Sequence, residues 1–182
     1  MSTKPLRMSP SRLADALACP GRVRGGTEVA RGLSTSGSTS PSARVGLICH
    51  RAFELFFSSS EALDKAWKTA VAEQQEAPSR DCDPESLSNA LQPELLRMQY
   101  LRLERAIHRV TDRLVPGDSP FPEKPLQSRD GQLVGTADLV VSGRSHWIAD
   151  LKTGRISDPD GGARPEYVRQ LMLYAYMEAE QS

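Results

Sequence analysis

The sequence predicts an α/β domain in which helices flank a central sheet. Three observations carry that expectation. Apolar residues recur at helical spacing from residue 45 to residue 115, the period switches to that of strands after Pro116-Gly117, and a last helical pattern closes the sequence.

The bulk properties set the frame. A chain of 182 residues suits one domain, and 38% apolar with 25% charged residues is a globular composition that excludes fibrous and collagen-like classes. No run of eighteen apolar residues occurs, and the opening MSTKPLRMSPSR lacks the apolar stretch of a secretory signal, so a cytoplasmic protein without a membrane partner is expected. Cys19, Cys49 and Cys82 are odd in number and lack CxxC spacing, which argues against a disulfide framework and a zinc site. Basic and acidic residues balance at 23 each. Nucleic-acid binding therefore needs a local patch.

The elements follow in order. Ser9 can cap a short helix over residues 9–17, with Pro10 in its first turn. The Gly/Ser/Thr/Arg-rich stretch that follows cannot bury enough apolar surface to order itself, and 25–44 reads as a flexible loop. From Val45, the residues Leu47, Ile48, Ala52, Phe53, Leu55 and Phe56 mark a helix whose apolar face is core. Residues 61–76 and 85–115 are again helical, and Pro93 forces a break or a new N-terminus in the second stretch. An extended segment at 123–128, a turn at Asp130-Gly131, and apolar runs at 132–141 and 145–153 joined at Gly143-Arg144 read as a three-strand meander. A polar loop over 157–164 leads to Pro165 and the helix YVRQLMLYAYMEAE.

The chemistry concentrates in GTADLVVSGRSHWIADLKTG. Side chains alternate along a strand, so Asp150 and Lys152 share a face while Leu151 points away. A hairpin of this length brings Asp138 beside Asp150. Two neighbouring carboxylates and a carbonyl form a hard-oxygen cage suited to Mg²⁺ or Mn²⁺. A cation between them relieves their repulsion, activates water and polarises a phosphoryl oxygen, leaving Lys152 to orient the nucleophile and offset developing charge. On the final helix Gln170 and Tyr174 are four apart and face the same way.

These residues resemble the PD-(D/E)XK phosphodiesterase superfamily, and within it the RecB-like branch that includes the CRISPR-adaptation exonucleases. The branch pattern is matched by Gly135-Thr136-Ala137-Asp138, by Asp150-Leu151-Lys152-Thr153-Gly154, and by Gln170 and Tyr174. Gly46-Leu47-Ile48-Cys49-His50 fits its Gly-x-x-x-His element, and Glu123 stands where the branch carries a glutamate. The resemblance implies a restriction-endonuclease-like core with a central mixed sheet and a helical segment between the His motif and that sheet.

The resemblance also implies roles. His50, Glu123, Asp138, Asp150 and the Leu151 carbonyl would be metal ligands, and Asp138, Asp150, Lys152, Gln170 and Tyr174 would serve catalysis. The implied activity is divalent-metal-dependent hydrolysis of DNA, as an exonuclease in repair or recombination, with a helicase or another such protein as partner. The alternative is a catalytically inactive or truncated DNA-binding scaffold of the same fold. SPSRLADALACP resembles the branch's N-terminal segment, in which the cysteine can ligate an iron–sulfur cluster. Only Cys19 matches and the later cysteines are absent, so no cluster is expected; within 1–182, a single domain, the C-terminal part of the family domain is expected to be missing. The arginines of 22–44 and 97–113 fit a DNA groove, although a solvated helix face explains the second run equally well.

Overall fold

The computed structural model of the chain describes residues 8–13, 41–59, 61–76 and 91–181. The end of the first predicted helix, Cys19, Cys82, the loop up to residue 40 and residues 85–90 of the central helical stretch lie outside the described residues. Helix α1 spans Pro41–Ser59, so residues 41–44, expected to be loop, are helical. Pro41 sits in the first turn, where its missing N–H costs nothing. The buried stripe starts there too, running through Arg44, Val45, Ile48, Cys49, Ala52 and Phe53.

Helix α2, Leu63–Glu76, packs on α1 through Ala66, Trp67 and Ala70, and small residues at Ala52, Ala66 and Ala70 let the two helices approach closely. At the rim, Arg51 holds Glu73 with two bonds, Nε to Oε2 at 2.8 Å and Nη2 to Oε1 at 2.9 Å. Helix α3, Pro93–Thr111, starts at the proline that the sequence marks as a new N-terminus and buries Gln99, Leu103 and Ile107. Tyr100 meets Trp67 edge-on at 5.5 Å between ring centres, which ties α3 to α2. No helix among the described residues is long and apolar enough to cross a membrane.

Strands β1, Ser119–Gln127, β2, Val134–Ser142, and β3, Trp147–Ala149, form an antiparallel sheet in the order β1-β2-β3. The expected meander is present, and among the described residues a parallel contact occurs only as a bridge from Met8 to Leu133. Pro120, Pro122 and Pro125 all lie in β1, an edge strand of this sheet, where a missing donor is tolerated. Gly143 turns β2 into β3 at φ 141°, and a Cβ there would collide with the Gly117 carbonyl oxygen. Strand β3 is shorter than the expected 145–153 because both ends leave the ladder. Ser145 gives its N–H and its hydroxyl to Asp118, and the Leu151 N–H goes to a side chain of β2.

Helix α4, Pro165–Gln181, completes the layers. Leu139 and Val141 face the core of α1, α2 and α3, whereas Val140 packs with Leu126 and Ala137 against Tyr174 and Met177 of α4. Because β2 is covered on both faces, its residues 137–141 are buried without interruption. Asp138 is the second residue of that run.

Candidate active site

A carboxylate between Ala137 and Leu139, both fully buried, must find partners or remain neutral. Asp138 finds two. Its Oδ1 is 3.0 Å from His50 Nδ1, and its Oδ2 accepts the Leu151 N–H at 2.5 Å. His50 reaches it from α1, one turn beyond Gly46. The hydrogen bond that the imidazole donates to Asp138 raises its pKa; burial opposes it, and the charges of Asp138, Glu123 and Asp150 add to it.

Glu123 approaches from β1. The ladder pairs Pro122 with Leu139 and Lys124 with Ala137, so Glu123 stands across from Asp138. It does so at φ 46°, the only positive φ of a non-glycine residue among those described. Such a conformation costs about 1–3 kcal/mol and persists only where the surroundings impose it. Burial raises the Glu123 pKa, and the facing Asp138 charge raises it further. The ligand atoms of His50, Glu123 and Asp138 all lie within 4.8 Å of one another.

Asp150 and Lys152 form the second half of the site. Lys152 Nζ is 2.6 Å from Asp150 Oδ2 and donates to Gln170 Oε1 at 3.0 Å. The Gln170 amide donates to Asp150 Oδ1 at 3.1 Å and to the Tyr174 hydroxyl at 3.3 Å. An ammonium can only donate and a carboxylate only accept, so these partners fix which way the Gln170 amide points. Burial raises the Asp150 pKa, against the opposing hydrogen bond and charge of Lys152. Burial likewise raises the Tyr174 phenol.

The sequence-predicted residues thus fall into two adjoining sets. His50, Glu123 and Asp138 converge as a nitrogen and two carboxylate oxygens, a donor set that fits a divalent cation. Asp150 is outside that trio and is engaged with Lys152 and Gln170. Leu151 joins the two sets through its N–H on Asp138.

Tyr167 was not singled out by the sequence, and Gly135 was quoted there only as part of its motif. Tyr167 places its ring 5.1 Å below Lys152 Nζ, and the signal was its position three residues before Gln170 on the same helix face. Gly135 lies where the N-terminal segment and α4 meet over β2. A Cβ there would stand 2.7 Å from Pro10 Cδ and 3.2 Å from Tyr174 Cε1, so the glycine admits both neighbours. It is needed for packing. Its motif partner Gly46 is not crowded in this way, with its nearest contact 3.5 Å from Thr153 Oγ1.

The α/β layers gather acidic side chains, a lysine and a glutamine around the middle of β2 and the segment that follows β3. The sequence profile of the PD-(D/E)XK nuclease superfamily matches residues 7–182, and the chain belongs to that superfamily. No curated protein and no solved structure matches the chain.

Proposed function

We propose that this chain is a divalent-metal-dependent DNA nuclease that hydrolyses phosphodiester bonds. We infer an exonuclease of the RecB-like branch, acting in the cytoplasm in repair or recombination, with a helicase or another repair protein as partner. One observation carries the reading. The ligand atoms of His50, Glu123 and Asp138 converge within 4.8 Å beside the Asp150–Lys152–Gln170 network.

The donor chemistry supports Mg²⁺ or Mn²⁺, because two carboxylates that face each other are held together best by a hard cation. A cation bound there would supply Lewis acidity at a phosphoryl oxygen and make water more acidic. Each residue then has its own task. His50, Glu123, Asp138, Asp150 and the Leu151 carbonyl hold the cation. Lys152 orients the attacking water and offsets charge that accumulates on the phosphate in the transition state. Gln170 holds Lys152 and Asp150 in register, and Tyr174 holds Gln170.

Cleavage of a labelled DNA strand, followed with and without Mn²⁺ and Mg²⁺, tests the reading. Activity should vanish in EDTA and fall at least ~10²-fold in Asp138→Asn, Asp150→Ala and Lys152→Ala. Cleavage at the wild-type rate in these variants would overturn it. A folded wild-type protein that binds DNA and never cleaves it would instead support the inactive scaffold.

A further inference from the structure

A cleft of about 650 Å³ opens beside the Asp150–Lys152 pair, between α3 and the segment that follows β3. Its lining has an unusual charge for this protein. The chain as a whole balances 23 basic against 23 acidic residues, whereas the cleft carries Arg102, Arg105, Arg109, Lys152 and Arg155 against the single acid Asp150. Lys152 is occupied by Asp150 and Gln170. None of the four arginines forms an ion pair with a described residue, and all four are exposed. Their charge is therefore available to a ligand.

The spacing of the arginines selects the ligand. Arg102, Arg105 and Arg109 fall along one side of α3, and the seven residues from the first to the last rise about 10 Å. Phosphates along one strand of stacked nucleotides advance about 3.4 Å each, so roughly three of them match that length. Guanidinium groups suit phosphates because they present paired donors to two oxygens at once. The cleft volume is that of a small-ligand pocket, roughly 300–1,000 Å³. It accommodates part of one strand and not a duplex.

We propose that this cleft is a backbone track for single-stranded nucleic acid. Arg102, Arg105 and Arg109 hold successive phosphates on one wall, Arg155 holds the strand from the other, and the strand leads to Lys152. The inference rests on the nuclease reading for which phosphate reacts, but the binding it describes is independent of catalysis.

Fluorescence anisotropy of a labelled single-stranded oligodeoxynucleotide, measured in EDTA over a range of salt, reads the track without cleavage. The Arg102→Gln/Arg105→Gln/Arg109→Gln variant should bind at least ~10-fold more weakly and lower the slope of log K against log salt by about 2, from roughly 0.7 per phosphate contact. Lys65→Gln/Lys68→Gln, on α2, should leave both unchanged. Wild-type protein should bind the single strand more tightly than the blunt duplex of the same sequence. An unchanged salt slope in the triple variant overturns the proposal, and so does a duplex bound as tightly as the single strand. Circular dichroism checks folding; should the triple variant unfold, Arg155→Gln alone decides, with a slope decrease of about 0.7 expected and no decrease overturning the track. Wild-type protein that binds in this way but never cleaves counts against the nuclease reading and leaves the track standing.

Discussion

Glu123 stands across the β1–β2 ladder from Asp138 and holds that place at φ 46°. The backbone strain and the facing carboxylate both oppose its position, and the proposed ligating role would account for both. Glu123→Gly should relieve strain of about 1–3 kcal/mol, against roughly 0.5–1 kcal/mol for the extra freedom of glycine in the unfolded chain. Glu123→Ala removes the carboxylate and keeps the strain. The glycine variant should therefore unfold at a higher temperature than the alanine variant, with nuclease activity reduced in both. A glycine variant that melts below the alanine variant, by the roughly 0.5–1 kcal/mol of added chain freedom, would show that φ at this position stores no strain.

Gln170 touches both Asp150 and Lys152, and on the proposed reading it is a positioning residue that would act through them. Lys152→Ala should lower kcat by about 10²–10³, the effect of removing one well-placed electrostatic donor. Gln170→Leu forfeits the hydrogen bonds to Lys152, Asp150 and Tyr174 and should lower kcat about tenfold, a transition-state loss of about 1.4 kcal/mol. The double variant should lose little beyond Lys152→Ala, because Gln170 has nothing left to position. Steady-state kinetics of the three variants check this, and additive losses would mean that Gln170 acts independently.

Asp118 fixes the sheet at the end away from Asp150. It accepts the Ser145 hydroxyl, the Ser145 N–H and the Val115 N–H at 3.1 Å, and these bonds, the hydroxyl first, hold its carboxyl below the ordinary 3.8. A depressed carboxyl stabilises the fold above its unfolded-state pKa and loses that contribution as pH falls through the folded value. Asp118→Asn should therefore melt below wild type at neutral pH, and the gap should close as the solution is taken below about pH 3.8. Thermal melts across that range check the sign; a gap that widens on acidification would contradict it.

How much of this was legible in the sequence depends on what each feature requires. Gln170 with Tyr174 needed only the helical repeat, and they meet as it predicts; Asp150 and Lys152 were placed together by strand alternation and do pair, although β3 ends at Ala149, before both. Asp138 announced itself as a charge within an apolar run. The conformation of Glu123 was hidden, because the prolines beside it obscure a strand and its φ follows from the pairing register. The engagement of Asp150 with Lys152 instead of the His50 trio depends on how α4 packs, which no local pattern encodes. The same holds for the arginine cleft. The spacing of Arg102, Arg105 and Arg109 was visible, but whether they faced solvent or a groove depended on where the segment after β3 would lie.

Metal binding should register as stability as well as activity. With no cation, two carboxylates face each other beside His50, and a cation that binds only the folded chain shifts the equilibrium by about 2.7 kcal/mol at a hundred times its Kd. For a domain of this size that corresponds to a melting temperature about 5–10 °C higher. EDTA should reverse the rise, and Asp138→Asn should abolish it. Imidazole is a softer donor than carboxylate, so Mn²⁺ should produce the shift at lower concentration than Mg²⁺. Asp150→Asn separates the two halves of the site: as a fifth ligand beside His50, Glu123, Asp138 and the Leu151 carbonyl, Asp150 should weaken the shift when replaced. A full shift in that variant would restrict Asp150 to holding Lys152. The lysine would then be the only route by which this carboxylate affects turnover, and Lys152→Ala combined with Asp150→Asn should be no slower than Lys152→Ala alone.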